Sequence, residues 1–69
     1  MVDKEIIGNR IRELRKNRRL TVEECCAAVG VSQSAWYSYE NGDRKPRDEV
    51  REKMASLFRC SIYSIFFKD

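Results

Sequence analysis

Residues Thr21–Gly42 read TVEECCAAVGVSQSAWYSYENG, and two helices with a sharp turn between them are legible in that stretch. Thr21 followed three residues later by Glu24 makes a capping box. The hydroxyl and the carboxylate each satisfy a backbone N–H that the start of a helix leaves without a partner. The helix so opened runs to about Val29, where Gly30 supplies a left-handed turn that residues with a Cβ resist. Ser32 is a good N-cap for a further helix from Gln33 to about Asn41, and the pair Asn41-Gly42 ends it. Cys26, four residues before Gly30, is small enough for the two helices to approach closely. Cys25, Val29, Val31, Trp36 and Tyr39 fall where apolar groups would fill the angle between them.

The flanking sequence extends the same pattern. Upstream, Ile7, Ile11 and Leu14 recur at i, i+4 and i+7 with charges between them, which predicts an amphipathic helix from about Ile6 to Asn17 whose other face is rich in arginine. Downstream of the Asp43-Arg44-Lys45-Pro46 loop, Asp48 and Glu49 place negative charge in a first helical turn. Val50, Met54, Leu57 and Phe58 give that helix a core stripe. Ser61 then caps a short last helix carrying Ile62, Ile65 and Phe66. No stretch alternates with the period of two that strands require, and no internal repeat is present. An all-α chain of five short helices is expected, as one domain over residues 1–69, with the two-helix unit at about 21–41.

Sixty-nine residues lie near the lower limit for a self-sufficient hydrophobic core, and 42% apolar with 36% charged residues describes a compact globule. The net charge of +3 is modest, so its distribution matters more than its total. Lys4, Arg10, Arg12, Arg15, Lys16, Arg18 and Arg19 outnumber the acids before Leu20. From Thr21 to Glu40 there is no cation at all. Arg44, Lys45 and Arg47 then cluster around Pro46. The longest apolar run, around Ile62 to Phe67, is too short to span a bilayer, and no signal peptide is evident, so a cytoplasmic protein is expected. Cys25, Cys26 and Cys60 are odd in number and lack metal-site spacing, which points to reduced thiols. With no histidine, no phosphate-cradling glycine loop and no nucleophile beside an evident base, neither an enzyme nor a metal, cofactor or small-molecule site is expected.

A short glycine-containing turn between two helices makes a unit whose second member can lie in the major groove of DNA. LTVEECCAAVGVSQSAWYSYENG followed by DRKP resembles the Cro/repressor (XRE-like) helix-turn-helix family of phage and bacterial regulators. The resemblance runs from about Ile7 to Phe66 and includes the leading R-x-x-R-x-x-x-x-L-T and the trailing C-S-I-Y-S-I-F-F. It implies a lambda-repressor-like fold and sequence-specific binding of double-stranded DNA. It further implies that Gln33, Ser34 and Ser38 face base edges, with Tyr37 on the same stripe. Helical spacing agrees, since Ser34, Tyr37 and Ser38 stand at i, i+3 and i+4 while Trp36 and Tyr39 point the other way.

Glutamine can pair bidentately with adenine and serine can donate or accept, so such a helix reads hydrogen-bond pattern without charge. Phosphate contacts supply the attraction it lacks. The family uses the loop of Asn41, Arg44, Lys45 and Arg47 for this. Arg10 is a second candidate, as are the helix starts at Thr21, Val22 and Ser32. Family members often carry glutamine where this chain has Val22, a contact that valine cannot make through its side chain. Arg47 stands where a capping serine is usual, and Cys25-Cys26 replaces the common Leu-Ala pair. The family also pairs Arg15 with Glu40, which, if buried, acts as an orientation device.

Blander expectations stand beside these. Trp36 and Tyr39 belong to the core, and Arg12, Lys16 and Arg18 form a solvated face. Tyr37 divides between a DNA-facing ring and one lying on its neighbours. Cys25 and Cys26 are small core hydrophobes rather than redox sensors. One small module with an uncharged reading helix binds weakly alone, so a homodimeric repressor on a palindromic operator is expected. Tyr63 and Phe67, at i and i+4 of the last helix, are either its interface or packed on the first helix. The rival is a protein-interaction module, antitoxin-like or an anti-repressor partner, using the Trp36-Tyr37 surface.

Overall fold

Asp3 starts the first helix. Its carboxylate accepts the Ile6 N–H at 3.0 Å, so α1 spans Lys4–Asn17 in the computed structural model, which describes all residues 1–69. The helix begins two residues before the expected Ile6 because its cap lies ahead of the apolar stripe, where periodicity carries no signal. Ile7 and Ile11 are buried as the stripe requires. The chain leaves α1 through Arg19 at φ 55, a left-handed residue.

The two central helices start on the expected residues, and the second of them ends at Glu40, one residue before the expected Asn41, which is its C-cap. α2 covers Val22–Val29 and α3 covers Gln33–Glu40. Thr21 Oγ1 accepts the Glu24 N–H at 3.1 Å while Glu24 Oε1 accepts the Thr21 N–H at 2.8 Å, which completes the capping box. Gly30 adopts φ 79 after α2, and its N–H donates to the Cys26 carbonyl at 2.7 Å. Ser32 Oγ accepts the Ala35 N–H at 3.1 Å to open α3. Gly42, also at φ 79, turns the chain out of it.

α4 is Asp48–Phe58. Arg47 occupies its N-cap position and makes no side-chain cap, so Asp48 and Glu49 alone complement that end. The expected last helix forms after Ser61, whose Oγ accepts the Ser64 N–H at 3.1 Å. It is a single wide turn over Tyr63–Phe67, closed by the Lys68 N–H on the Tyr63 carbonyl at 2.9 Å. The N-terminal arm lies against it, with the Val2 N–H donating to the Phe66 carbonyl at 2.9 Å. All five elements are helical and there is no strand.

The core lies where these elements converge. Trp36, Phe58, Phe66, Ile7, Ile11 and Met54 are its largest fully buried side chains. Each such side chain stabilises the fold by about 1.5–3 kcal/mol relative to exposure. Trp36 and Phe58 meet edge-on with ring centroids 6.4 Å apart, a favoured aromatic geometry. Cys25 and Cys26 pack in the same cluster with Val22 and Val29, as expected of small hydrophobes.

One close approach fixes how α1 sits on α3. A Cβ at Gly8 would lie 2.5 Å from the Glu40 carbonyl oxygen and 2.6 Å from that of Tyr39. Both are backbone atoms, so only a residue without a side chain lets α1 cross the end of α3 at this distance. Helix propensity alone predicts that Gly8→Ala stabilises by about 1 kcal/mol. The crossing predicts the opposite sign, a loss of about 1–3 kcal/mol from overpacking. Urea unfolding of the two proteins decides it, and a midpoint raised in Gly8→Ala would refute the close crossing.

Candidate nucleic-acid interface

The second helix of the pair is held from behind by one buried carboxylate. Glu40, at the last position of α3, has a side chain 3% exposed. Arg15 of α1 grips it with two hydrogen bonds, Nε to Oε2 at 2.7 Å and Nη2 to Oε1 at 3.1 Å. Trp36 Nε1, one turn back on α3, donates to Oε2 at 2.6 Å. Arg12 adds its charge at 3.7 Å, and its Nη2 donates to the Glu40 carbonyl at 3.1 Å. Burial alone would raise the Glu40 carboxyl, but the hydrogen bonds from Arg15 and Trp36 and the charges of Arg15 and Arg12 outweigh it and hold the group below its ordinary value. The hydrogen bond to Glu40 likewise raises Arg15 against the opposing effect of its own burial. The Arg15–Glu40 pair implied by the family resemblance is therefore present, with Glu40 buried and Arg15 half-buried. Two of the three side chains gathered on Glu40 take roles beyond those read from the sequence. Trp36 is a core aromatic that also donates to Glu40, a role signalled by its i, i+4 spacing. Arg12, expected on a solvated face, is bound to the end of α3.

With its inner face so anchored, α3 presents the opposite face to solvent. Gln33 and Ser34 are exposed, Tyr37 is 48% exposed and Ser38 is half-buried at the margin. Ser38 Oγ donates to the Ser34 carbonyl at 3.0 Å. No cation stands on this helix.

The cations stand beside it, on a loop tied to α3 by its backbone. The Asp43 and Arg44 N–H groups both donate to the Ser38 carbonyl, at 2.9 and 3.3 Å. Arg44 packs over the Tyr39 ring at 5.7 Å, a cation–π distance. An open hollow of about 320 Å³ separates this loop from the start of α3 and is bordered by Ser32, Ala35, Arg44, Arg47 and Glu49. Arg44, Lys45 and Arg47 are exposed, and none of them is in an ion pair. Asn41 is exposed at the end of α3, with Oδ1 accepting from Arg12 Nη2 at 3.4 Å.

Other expected phosphate contacts are placed differently. The Arg10 guanidinium faces the last turn, where it donates to the carbonyls of Ser64 at 3.3 Å, Ile65 at 3.1 Å and Lys68. Those carbonyls have no helical partner, and a cation at a helix C-terminus satisfies them and the helix dipole together. Arg10 is thus a strut between α1 and the last turn, not a free cation beside α3. Arg18, also expected on a solvated face, donates to the Phe58 carbonyl and lies over its ring. The Val22 side chain is buried, so only its backbone N–H faces outward at the α2 start. Thr21 is exposed with its hydroxyl engaged in the cap, and Glu23 and Glu24 share that first turn. Their charges oppose an anion at that helix start.

The thiols are chemically quiet. Burial pushes the Cys25 thiol up to about 11 despite the nearby Arg15 charge, and burial raises Cys26 as well. Neither sulfur is poised as a thiolate.

A family model described as a helix-turn-helix domain matches residues 6–62. The chain belongs to the helix-turn-helix family. Its relatives place it in the Cro/repressor-like branch of DNA-binding regulators that the sequence resembles. Among curated helix-turn-helix proteins, the cryptic phage CTXphi transcriptional repressor RstR of Vibrio cholerae is 34% identical over 57 residues, covering 83% of this chain and 51% of that protein. Antitoxin PezA of Streptococcus pneumoniae is 33% identical over 64 residues, covering 93% of this chain and 40% of that one. The chain spans about half the length, or less, of these curated relatives. Among solved structures, the restriction-modification controller protein C.AhdI from Aeromonas hydrophila superposes with a TM-score of 0.82 at 26% identity, covering 90% of this chain and 94% of that one. The clp gene regulator ClgR from Corynebacterium glutamicum shares the fold with a TM-score of 0.85 at 20% identity, covering 94% of this chain and 69% of that one.

The buried carboxylate predicts a pH signature. Because Glu40 is lowered in the folded helix-turn-helix, its contribution is complete above the ordinary glutamate pKa of about 4.3 and is lost as the pH falls through the lower folded value. At neutral pH, Glu40→Gln leaves Arg15 without its counter-charge and costs about 3 kcal/mol. Below about pH 4 the gap narrows, since only the wild type loses a charge there. Urea melts of both proteins between pH 7 and pH 3 measure it, and parallel stability profiles would contradict a charged, clamped Glu40.

Proposed function

We propose that this chain is a sequence-specific DNA-binding transcriptional regulator, a repressor that binds a palindromic operator as a homodimer. The observation that carries the reading is the arrangement on one side of the molecule. An exposed, uncharged helix face lies next to three unpaired cations, and the loop that bears them is hydrogen-bonded to Ser38 of that same helix. Gln33, Ser34, Tyr37 and Ser38 read base edges, while Arg44, Lys45 and Arg47 hold phosphates, aided by Asn41 and by the helix start at Ser32. Arg10 takes no part in this set, because its donors are engaged within the fold. The relatives support a regulator: RstR is a transcriptional repressor and C.AhdI a controller protein.

Dimerisation follows from the weakness of one uncharged reading helix acting alone. Tyr63 is 62% exposed and Phe67 40% exposed on the last turn, a pair of aromatics suited to contact a second copy. The molecule measures 28 × 23 × 21 Å. Two copies abutting would therefore set their reading helices on the scale of the roughly 34 Å that separates successive major-groove faces.

A second reading draws on PezA, an antitoxin. In that reading the fold serves a protein partner through the exposed Tyr37 surface. Salt separates the two. The logarithm of DNA affinity should fall linearly with that of salt, and Arg44→Ala/Lys45→Ala should lessen that slope by about 1.8, at roughly 0.9 for each phosphate lost. Fluorescence anisotropy on duplex DNA from low to physiological salt provides the measurement. Binding indifferent to salt and to both substitutions would favour the protein partner.

A further inference from the structure

The polar groups on the outer face of α3 are not equivalent. A serine hydroxyl has one proton and two lone pairs. Ser38 directs its proton inward, to the Ser34 carbonyl at 3.0 Å, the i−4 back-bond open to a serine inside a helix. What Ser38 then offers to a groove is acceptor capacity alone. Gln33 carries both a donor and an acceptor, and the exposed Ser34 hydroxyl can turn either way. Ser38 is the one reading position whose polarity the fold itself sets.

We propose that Ser38 selects a base bearing an exocyclic amino group in the major groove, and discriminates against guanine and thymine at the same place. This rests on the DNA-binding reading above and gives it a chemical specificity. In the major groove adenine N6 and cytosine N4 are donors, whereas guanine N7 and O6 and thymine O4 are acceptors. An acceptor-only hydroxyl set against an acceptor makes no bond and leaves both groups without water. To serve guanine or thymine, Ser38 must first release the Ser34 carbonyl. The rest of the helix does not compensate, since α3 has no arginine or lysine to take up the paired acceptors of guanine.

Gln33 and Ser38 are separated along the helix axis by about 7.5 Å, at 1.5 Å per residue. That is roughly two base steps of 3.4 Å, so the two side chains address different base pairs. Tyr37, between them on the exposed stripe, has a ring to lay against a thymine methyl and no charge with which to attract guanine.

The test begins with selection from random duplex DNA by the wild type, Ser38→Ala and Ser38→Thr. Threonine retains the acceptor and can make the same bond back to residue 34. The expected result is one position at which the wild type and Ser38→Thr select adenine or cytosine and Ser38→Ala shows no preference. At that position, purine in place of adenine, or 2-pyrimidinone in place of cytosine, removes only the amino group and tells the two sources apart. Wild-type affinity should drop about fivefold, the worth of one net hydrogen bond, and Ser38→Ala should not respond. These analogues leave the protein unaltered, so the result does not depend on how any variant folds. A selected sequence with guanine or thymine at the position lost in Ser38→Ala would overturn the proposal alone, as would an unchanged preference in that variant or no effect of removing the amino group. No selected sequence, together with salt-insensitive binding, would overturn the DNA reading and this proposal with it.

Discussion

A single carboxylate organises this molecule. Glu40 sits where α1 and α3 cross, and it takes hydrogen bonds from a cation on one helix and an indole on the other. Gly8 makes the crossing possible by allowing α1 to approach the Glu40 and Tyr39 carbonyls without a side chain between them. The two features depend on one another. Without the close approach Arg15 could not reach Glu40 with both of its bonds, and without the carboxylate three donors would be left near an unfilled site. Taking charges out of water is costly, so such a cluster adds little net stability compared with well-packed apolar residues. What it adds is direction, since bidentate hydrogen bonds hold angles that apolar contacts leave free.

That direction is what an uncharged reading helix requires. In the proposed DNA-binding reading, Gln33, Ser34 and Ser38 make short-range, angle-dependent contacts, and a small rotation of α3 would misalign all of them. A helix bearing arginines could tolerate more error, because Coulomb attraction falls off slowly with distance. On that proposed reading attraction and discrimination reside on separate segments, and the fold couples them through the Ser38 carbonyl, which accepts from the Asp43 and Arg44 N–H groups. The inner face of α3 is locked to α1, its C-terminal end carries the basic loop, and only the outer face is left for a partner.

Much of this architecture was legible in the residues. Thr21, Glu24, Gly30 and Ser32 act locally, within one helical turn, and local rules place them. The family pattern correctly paired Arg15 with Glu40 and set the basic loop after the E-N-G turn. Long-range side-chain choices were not legible. Arg10 and Arg12 are the same residue type on nearly opposite sides of α1, and one caps the last turn while the other binds the end of α3, because the neighbours of α1 differ on its two sides. Gly8 could have been suspected as an isolated glycine inside a helical pattern, although its reason lies 32 residues away in the crossing at Glu40. The wide last turn was invisible to periodicity, which sees too few residues in so short a segment.

On the proposed DNA-binding reading, the Glu40 cluster orients α3 rather than stabilising the chain. Replacing the whole cluster by apolar groups, as Arg15→Met/Trp36→Phe/Glu40→Leu, separates the two roles. The decisive measurement is the ratio of affinities for a selected duplex and a random duplex at fixed salt, with folding verified by a urea melt. The triple variant should be as stable as the wild type to within about 2 kcal/mol, with random-duplex affinity kept and the ratio reduced at least tenfold. An unchanged ratio in the folded triple variant would contradict it.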